Sequence, residues 1–124
     1  MSDSLSRQIA RYVASLTYDD IPSIVVDRVK ALALHNLVMS FEGLSTPSGK
    51  TAIELSKAEE PRLDGATILG DGARVSRMGA VFANSQLMHV GIHGDSYRML
   101  AHPGGHVVSS ALVSGELERA DGAA

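Results

Sequence analysis

Between Pro22 and Gly43 the chain runs for twenty residues, Ser23 to Glu42, without a proline or a glycine. Proline is well placed just before or at a helix's first turn, so the spacing predicts one long helix over Ser23–Glu42, with Gly43 ending it. Its apolar residues, among them Ile24, Val25, Val29, Leu32, Leu34, Leu37, Val38 and Phe41, fall on every side. A helix apolar all round demands cover on more than one face, so it is central to the fold or lies in an interface. His35 and Asn36 interrupt the apolar run; they read as a satisfied polar pair within a packed helix, with a ligand role as the alternative.

The rest of the chain supplies short elements around that helix. Asp3 or Ser4 can cap a first helix whose Leu5, Ile9, Tyr12, Val13 and Leu16 share one stripe. Ser45–Gly49, containing Pro47, reads as a loop, and a short third helix runs from Lys50 to Glu59, stopped by Pro61. From Ala66 to Val75 two short extended pieces flank a glycine turn. Gly70 and Gly72 also have the spacing that opens a dinucleotide fingerprint, but no third glycine follows, and Asp71-Gly72 is a common hairpin signal. Ser76 caps a fourth helix through His89, and Pro103 and Gly104 open a fifth that runs to Glu118, with Gly122 beyond it. The expectation is a single all-α domain over residues 1–124, a bundle of about five helices with one minor β-hairpin.

Composition narrows the function. A net charge of −3 with scattered basic residues, and aromatics at only 4%, leave neither a phosphate-neutralising stripe nor a stacking platform, so nucleic acid is not expected as a partner. No segment approaches the roughly 20 apolar residues of a membrane span. The chain has no cysteine, which removes disulfide frameworks, thiolate catalysis and thiolate zinc sites and makes a reducing, cytoplasmic compartment the default.

The polar chemistry is concentrated in HVGIHGDSYRMLAHPGGH, His89 to His106, which holds four of the five histidines. Three readings compete. A metal site could use His89 with His93, or His102 with His106, each pair four residues apart, although the glutamate of HExxH is missing and Gly91 and Gly94 interrupt a helix. Acid/base chemistry on an anionic substrate could use His102 as proton carrier, Asp95 and Ser96 to orient it or a substrate hydroxyl, and the amides of Gly104, Gly105 and His106 at a helix start to receive a carboxylate. A structural reading has the histidines filling polar positions at helix ends or at a subunit contact.

AVFANSQLMHV, the loop with Asp95 and Ser96, and then HPGGHVVSSAL together resemble the N-terminal region of the MmgE/PrpD family. Its pattern is a small-residue helix with ALANG, then H-x-x-D-F-D-D-T, then HPG and an alanine-rich helix. LSRQIARYVASLTYDDIPSIVVDRVKALALHNLV is similar to the family's first two helices, and ATILGDGARVS sits at its short hairpin. The resemblance implies an all-α domain from enzymes such as 2-methylcitrate dehydratase, cis-aconitate decarboxylase and iminodisuccinate epimerase. These act on small di- and tricarboxylic acids by proton transfer, without metal or organic cofactor, as homodimers with a second, lid-like domain.

Carried over residue by residue, the resemblance makes His102 the acid/base or substrate-binding histidine of HPG, puts Ser96 at the threonine of D-D-T and puts Asp95 at its last aspartate. Ile92 and Gly94 replace the first two aspartates, His35 stands where the second helix usually has an aspartate, and Ser85 replaces the glycine of ANG. Family members are several times longer, with further catalytic residues after the region matched here. The expectation is therefore a short or truncated relative, weakly active or inactive alone unless a second chain completes the site. The alternative is a non-catalytic helical module that dimerises or binds a partner.

Overall fold

A computed structural model describes residues 3–90, 93–98 and 101–122. Five helices and one hairpin follow in the order α1 (Leu5–Ser15), a 3-10 turn (Tyr18–Asp20), α2 (Ser23–Gly43), α3 (Pro47–Glu59), β1 (Pro61–Thr67), β2 (Arg74–Val75), α4 (Arg77–Met88) and α5 (Pro103–Glu118). The all-α reading with a single small hairpin holds. Local chemistry explains most boundaries: the Ser4 hydroxyl accepts from the Arg7 amide, and that of Ser76 accepts from the Gly79 amide (3.1 Å).

The first extended piece, expected from Ala66, begins at Pro61, and the start of the third helix also differs from expectation. The third helix begins at Pro47, not Lys50, because Thr46 caps it: its hydroxyl accepts from the Gly49 amide (3.1 Å) and donates to the Gly43 carbonyl (2.7 Å). Pro47 then takes the first helical position, where its missing N–H costs nothing. Gly43 is the last residue of α2, ending the helix where expected, but without the left-handed conformation; that conformation falls on Gly70 (φ 76°) and Gly72 (φ 83°) in the hairpin turn. Gly70 and Gly72 thus make the hairpin turn and lead into β2, not directly into a helix as a dinucleotide fingerprint would.

Gly43 serves a second purpose. A Cβ there would strike the backbone carbonyl of Leu87, and one on Gly49 would meet the Gly43 carbonyl and the Leu87 side chain. Helix α2 therefore closes on α4 backbone to backbone at Gly43, and α3 closes on the backbone of α2 at Gly49 with the Leu87 side chain alongside. α4 sits at the centre, packed against α2, α3, α5 and both strands. Around it lies a core of small aliphatic groups: Ile53, Ala66, Ile68, Val75, Ala80, Ala83, Leu87 and Val113.

The hairpin is tied down by side chains. β1 and β2 pair antiparallel at Ala66↔Val75 and Thr67↔Arg74, with a bulge between Pro61 and Ala66. Buried Asn84 of α4 presents its amide to the end of β1: Oδ1 accepts from Leu69 N (2.9 Å) and Nδ2 donates to Thr67 O (3.0 Å). From α5, Glu116 accepts from both the Thr67 amide (2.9 Å) and its hydroxyl (2.6 Å).

Within this chain helix α2 is covered over only part of its surface. Only Asn36, Met39, Ser40 and Gly43, all in its second half, are buried. Ile24, Val29, Leu34, Val38 and Phe41 each remain more than half exposed, because α4 and α5 reach one side of the C-terminal turns and nothing described lies over the rest. No helix among the described residues is long and apolar enough to cross a membrane.

The close crossing at Gly43 gives a direct test. Gly43→Ala pushes a methyl into backbone that cannot yield and should cost about 1–3 kcal/mol in denaturant unfolding. Gly122→Ala, where an added Cβ meets nothing within 4 Å, should leave the midpoint unchanged.

Candidate functional site

The site forms where α4 ends and α5 begins. α4 stops at Met88, and His89 caps it, its amide donating to the carbonyls of Ser85 (3.0 Å) and Gln86 (3.2 Å). α5 starts at Pro103 with His102 as its N-cap residue. The intervening loop is closed on itself by an antiparallel bridge, Tyr97 N to Ala101 O (2.8 Å) and Ala101 N to Tyr97 O (3.2 Å). Arg98, in the left-handed conformation (φ 50°), lays its guanidinium 5.3 Å from the Tyr97 ring centre.

Asp95 fastens this loop to the helix at two points. Its carboxylate Oδ2 accepts from the Gly104 amide (2.8 Å), and its backbone carbonyl accepts from His102 Nδ1 (2.7 Å). A carboxylate on the first turn of a helix is favoured both by the unpaired donors there and by the helix dipole. The second bond fixes a tautomer. A carbonyl only accepts, so Nδ1 of His102 carries the hydrogen, and in the neutral ring Nε2 is the nitrogen that can take up a proton.

Of the expected site residues, His102, Asp95, Gly104 and Gly105 are brought together, and His106 joins them through the ring of His89. His89 and His106 stack with centroids 4.6 Å apart and planes 29° apart, while His89 meets His102 edge to face at 5.9 Å. Ser96 follows Asp95 on the exposed side of the loop. Ile92, at the position of the family's first aspartate, lies outside the described residues.

The two glycines are buried, and their lack of side chains shapes the site. A Cβ on Gly104 would strike the Asp95 carboxylate and the Asn36 amide, and one on Gly105 would strike the His89 imidazole. The start of α5 is thus pressed between α2 and the end of α4. Ser85 strengthens that junction, bonding the Gly105 carbonyl (3.1 Å) and the Ser109 hydroxyl (2.6 Å). Of the amides expected to receive a substrate carboxylate, that of Gly104 is already held by Asp95, so an incoming carboxylate competes with Asp95 for the helix start.

His35 and Asn36 are each satisfied. His35 Nε2 donates to the His93 carbonyl (2.9 Å), holding the far side of the loop to α2, and Asn36 Nδ2 donates to Leu32 O (2.9 Å). Among the described residues no three His, Asp or Glu side chains are grouped to hold a metal ion.

His89 enters the sequence reading only as half of a metal pair or as one of the histidines at helix ends, and its contacts make it more than either. Its signal was indirect: adjacent glycines in a helix's first turn announce a neighbour at contact distance, and that neighbour is His89. Burial, followed by the positive fields of His106 and His102, lowers its pKa below the ordinary 6.5, with Asp95 opposing.

A histidine whose folded pKa is depressed takes up a proton more readily in the unfolded chain. Its stabilising contribution is complete above about 6.5 and is lost as pH falls through the lower folded value. Unfolding measured across that window should show the native chain weakening on acidification and His89→Gln weakening less. Gly105→Ala, which displaces the His89 ring, should be destabilised by about 1–3 kcal/mol and lose part of the same pH dependence.

Residues 7–124 match the MmgE/PrpD N-terminal domain. No curated protein and no solved structure matches the chain. A family match over nearly the whole length, on a helical fold that gathers the HPG histidine and the loop aspartate at one helix start, identifies the chain as a member of the MmgE/PrpD family, carrying its N-terminal domain.

Proposed function

We propose that the α4–α5 junction is a carboxylate-handling, acid/base site, and that the chain is related to lyases and isomerases acting on small di- or tricarboxylic acids. The observation that supports this reading best is the bond from His102 Nδ1 to the Asp95 carbonyl. It orients the ring and leaves Nε2 as a base beside a helix start that already holds one carboxylate, that of Asp95.

In the proposed step a C–H bond adjacent to a substrate carboxylate breaks, the proton passes to Nε2 of His102, and the electron pair remains on the carbon next to that carboxylate. The proton returns to carbon in an epimerisation; in an elimination, the electron pair expels a leaving group on the neighbouring carbon. Amides at the start of α5 favour the added negative charge. Asp95 positions His102 through its main chain, and Ser96 offers a hydroxyl to the substrate from the loop. The reading calls on neither a metal nor an organic cofactor.

His102 is exposed at the surface of the described residues, so chemistry here needs a further polypeptide segment to exclude water and supply the remaining groups. On its own the chain is expected to bind polycarboxylates weakly and turn them over slowly or not at all.

Titration with citrate, cis-aconitate and methylcitrate, followed through histidine NMR resonances, tests this reading. His102 and His89 should shift selectively, and His102→Ala should weaken binding about tenfold or more, the loss of one charge-assisted hydrogen bond. Resonances unmoved by all three acids, or equal affinity in His102→Ala, would overturn it.

A further inference from the structure

Three of the five histidines are joined through one ring. His106 stacks on His89 with centroids 4.6 Å apart, and His102 meets the same ring edge to face at 5.9 Å. Two neutral imidazoles stack favourably, and one imidazolium is attracted to a neutral ring beside it. Two imidazolium ions at that distance repel, so the set takes its protons in succession, each harder to add than the last. His89 has no room to swing clear of its neighbours. It is half-buried, and its ring lies so close to Gly105 that even a methyl group there would strike it.

The surroundings supply little negative charge. From α5 come His102 and His106 themselves, and from the loop comes Asp95, the only acid among the described residues that acts on His89. Asp95 is committed elsewhere, its Oδ2 accepting from the Gly104 amide. The loop also carries Arg98, a further cation, folded over the Tyr97 ring. From α2 come His35, engaged at the His93 carbonyl, and the uncharged Asn36. The cluster thus has more nitrogens able to take a proton than its own acids can balance. The depressed pKa of His89, caused by burial and then by His106 and His102, agrees with that shortage. His102 and His106 are both exposed, so an anion can reach both rings from solvent.

We propose that the His89–His106 stack couples anion binding at the α4–α5 junction to uptake of a proton from solvent, so that the site tightens on di- and tricarboxylates as the solution turns mildly acidic. This coupling rests on the carboxylate reading of the same junction and adds the direction in which pH controls it. The effect is reciprocal: a bound anion draws a proton onto the stack, and a proton already on the stack holds the anion more firmly. In alkaline solution the rings are neutral and the anion is held least. Affinity grows as pH falls from about 8 towards about 6, and levels off once the ligand-free cluster is itself protonated.

Calorimetry on the full chain, with fumarate as the probe, tests the coupling. Fumarate is fully ionised across this window, so a proton taken up on binding enters the protein. Titrations at neutral pH in buffers of different ionisation heat should show close to one proton taken up per anion bound. Affinity should rise about three- to tenfold between about pH 7.5 and about pH 6.5, tenfold being the limit for one linked proton. His106→Gln, which keeps a flat polar side chain over His89, should remove most of the uptake and flatten the pH dependence; a side chain that merely fills space would change neither. In the native chain, fumarate should move the NMR resonances of His89 and His106 together towards their protonated positions, while His35 stays in place. Binding without proton uptake would overturn the coupling and leave the carboxylate reading standing. So would uptake undiminished in His106→Gln, or protonation confined to His102. No binding of fumarate or citrate at any pH would overturn both.

Discussion

The crossing of α2 over α4 at Gly43, with α3 held against α2 at Gly49, is the contact on which the rest of the arrangement depends. With no side chain at Gly43, α2 approaches α4 until backbone meets backbone at Leu87, and the bare Gly49 lets α3 reach the Gly43 carbonyl. That distance sets how deeply Asn36, two turns earlier on α2, reaches under the start of α5. α5 can then bring its own glycines, Gly104 and Gly105, against Asn36 and His89. Two pairs of glycines thus fix the spacing of the helices that carry the histidines. The small size of the core side chains, alanines and single aliphatics with no aromatic group among them, follows from the same requirement for close spacing.

What was legible in the sequence was what short-range physics governs. Period-3.6 patterns and caps such as Ser76 and Pro103 located the helices, and Asp71-Gly72 located the turn. Errors arose where one residue type can serve two purposes. Pro47 and Gly49 read as loop formers, yet Pro47 opens a helix once Thr46 caps it, and Gly49 is there for contact. Gly43 ends α2 as read, but its role in permitting a crossing left no trace in the sequence. For α2, hydrophobicity stated a demand for cover without saying what would meet it.

The candidate site was legible in its residue types but not in its bonds. HPG and the nearby aspartate drew attention to His102 and Asp95. That Asp95 would cap α5 with its carboxylate and orient His102 with its carbonyl depends on a loop closing over seven to nine residues, which leaves no periodic trace. The stacking of His89 on His106 likewise joins the end of one helix to the first turn of another, and no local pattern encodes it. The family match agrees with the resemblance read from these motifs, and it extends over the helices as well as the loop.

The amide of Asn84 has a consequence for how the domain comes apart. A two-stranded hairpin with so few ladder pairs is marginal by itself. Here one side chain from α4 supplies, at Thr67 and Leu69, the two bonds that a third strand would have made. The hairpin therefore has no separate opening of its own; the Leu69 amide and the Thr67 carbonyl are released when α4 lets go, and the sheet and the central helix behave as one cooperative unit.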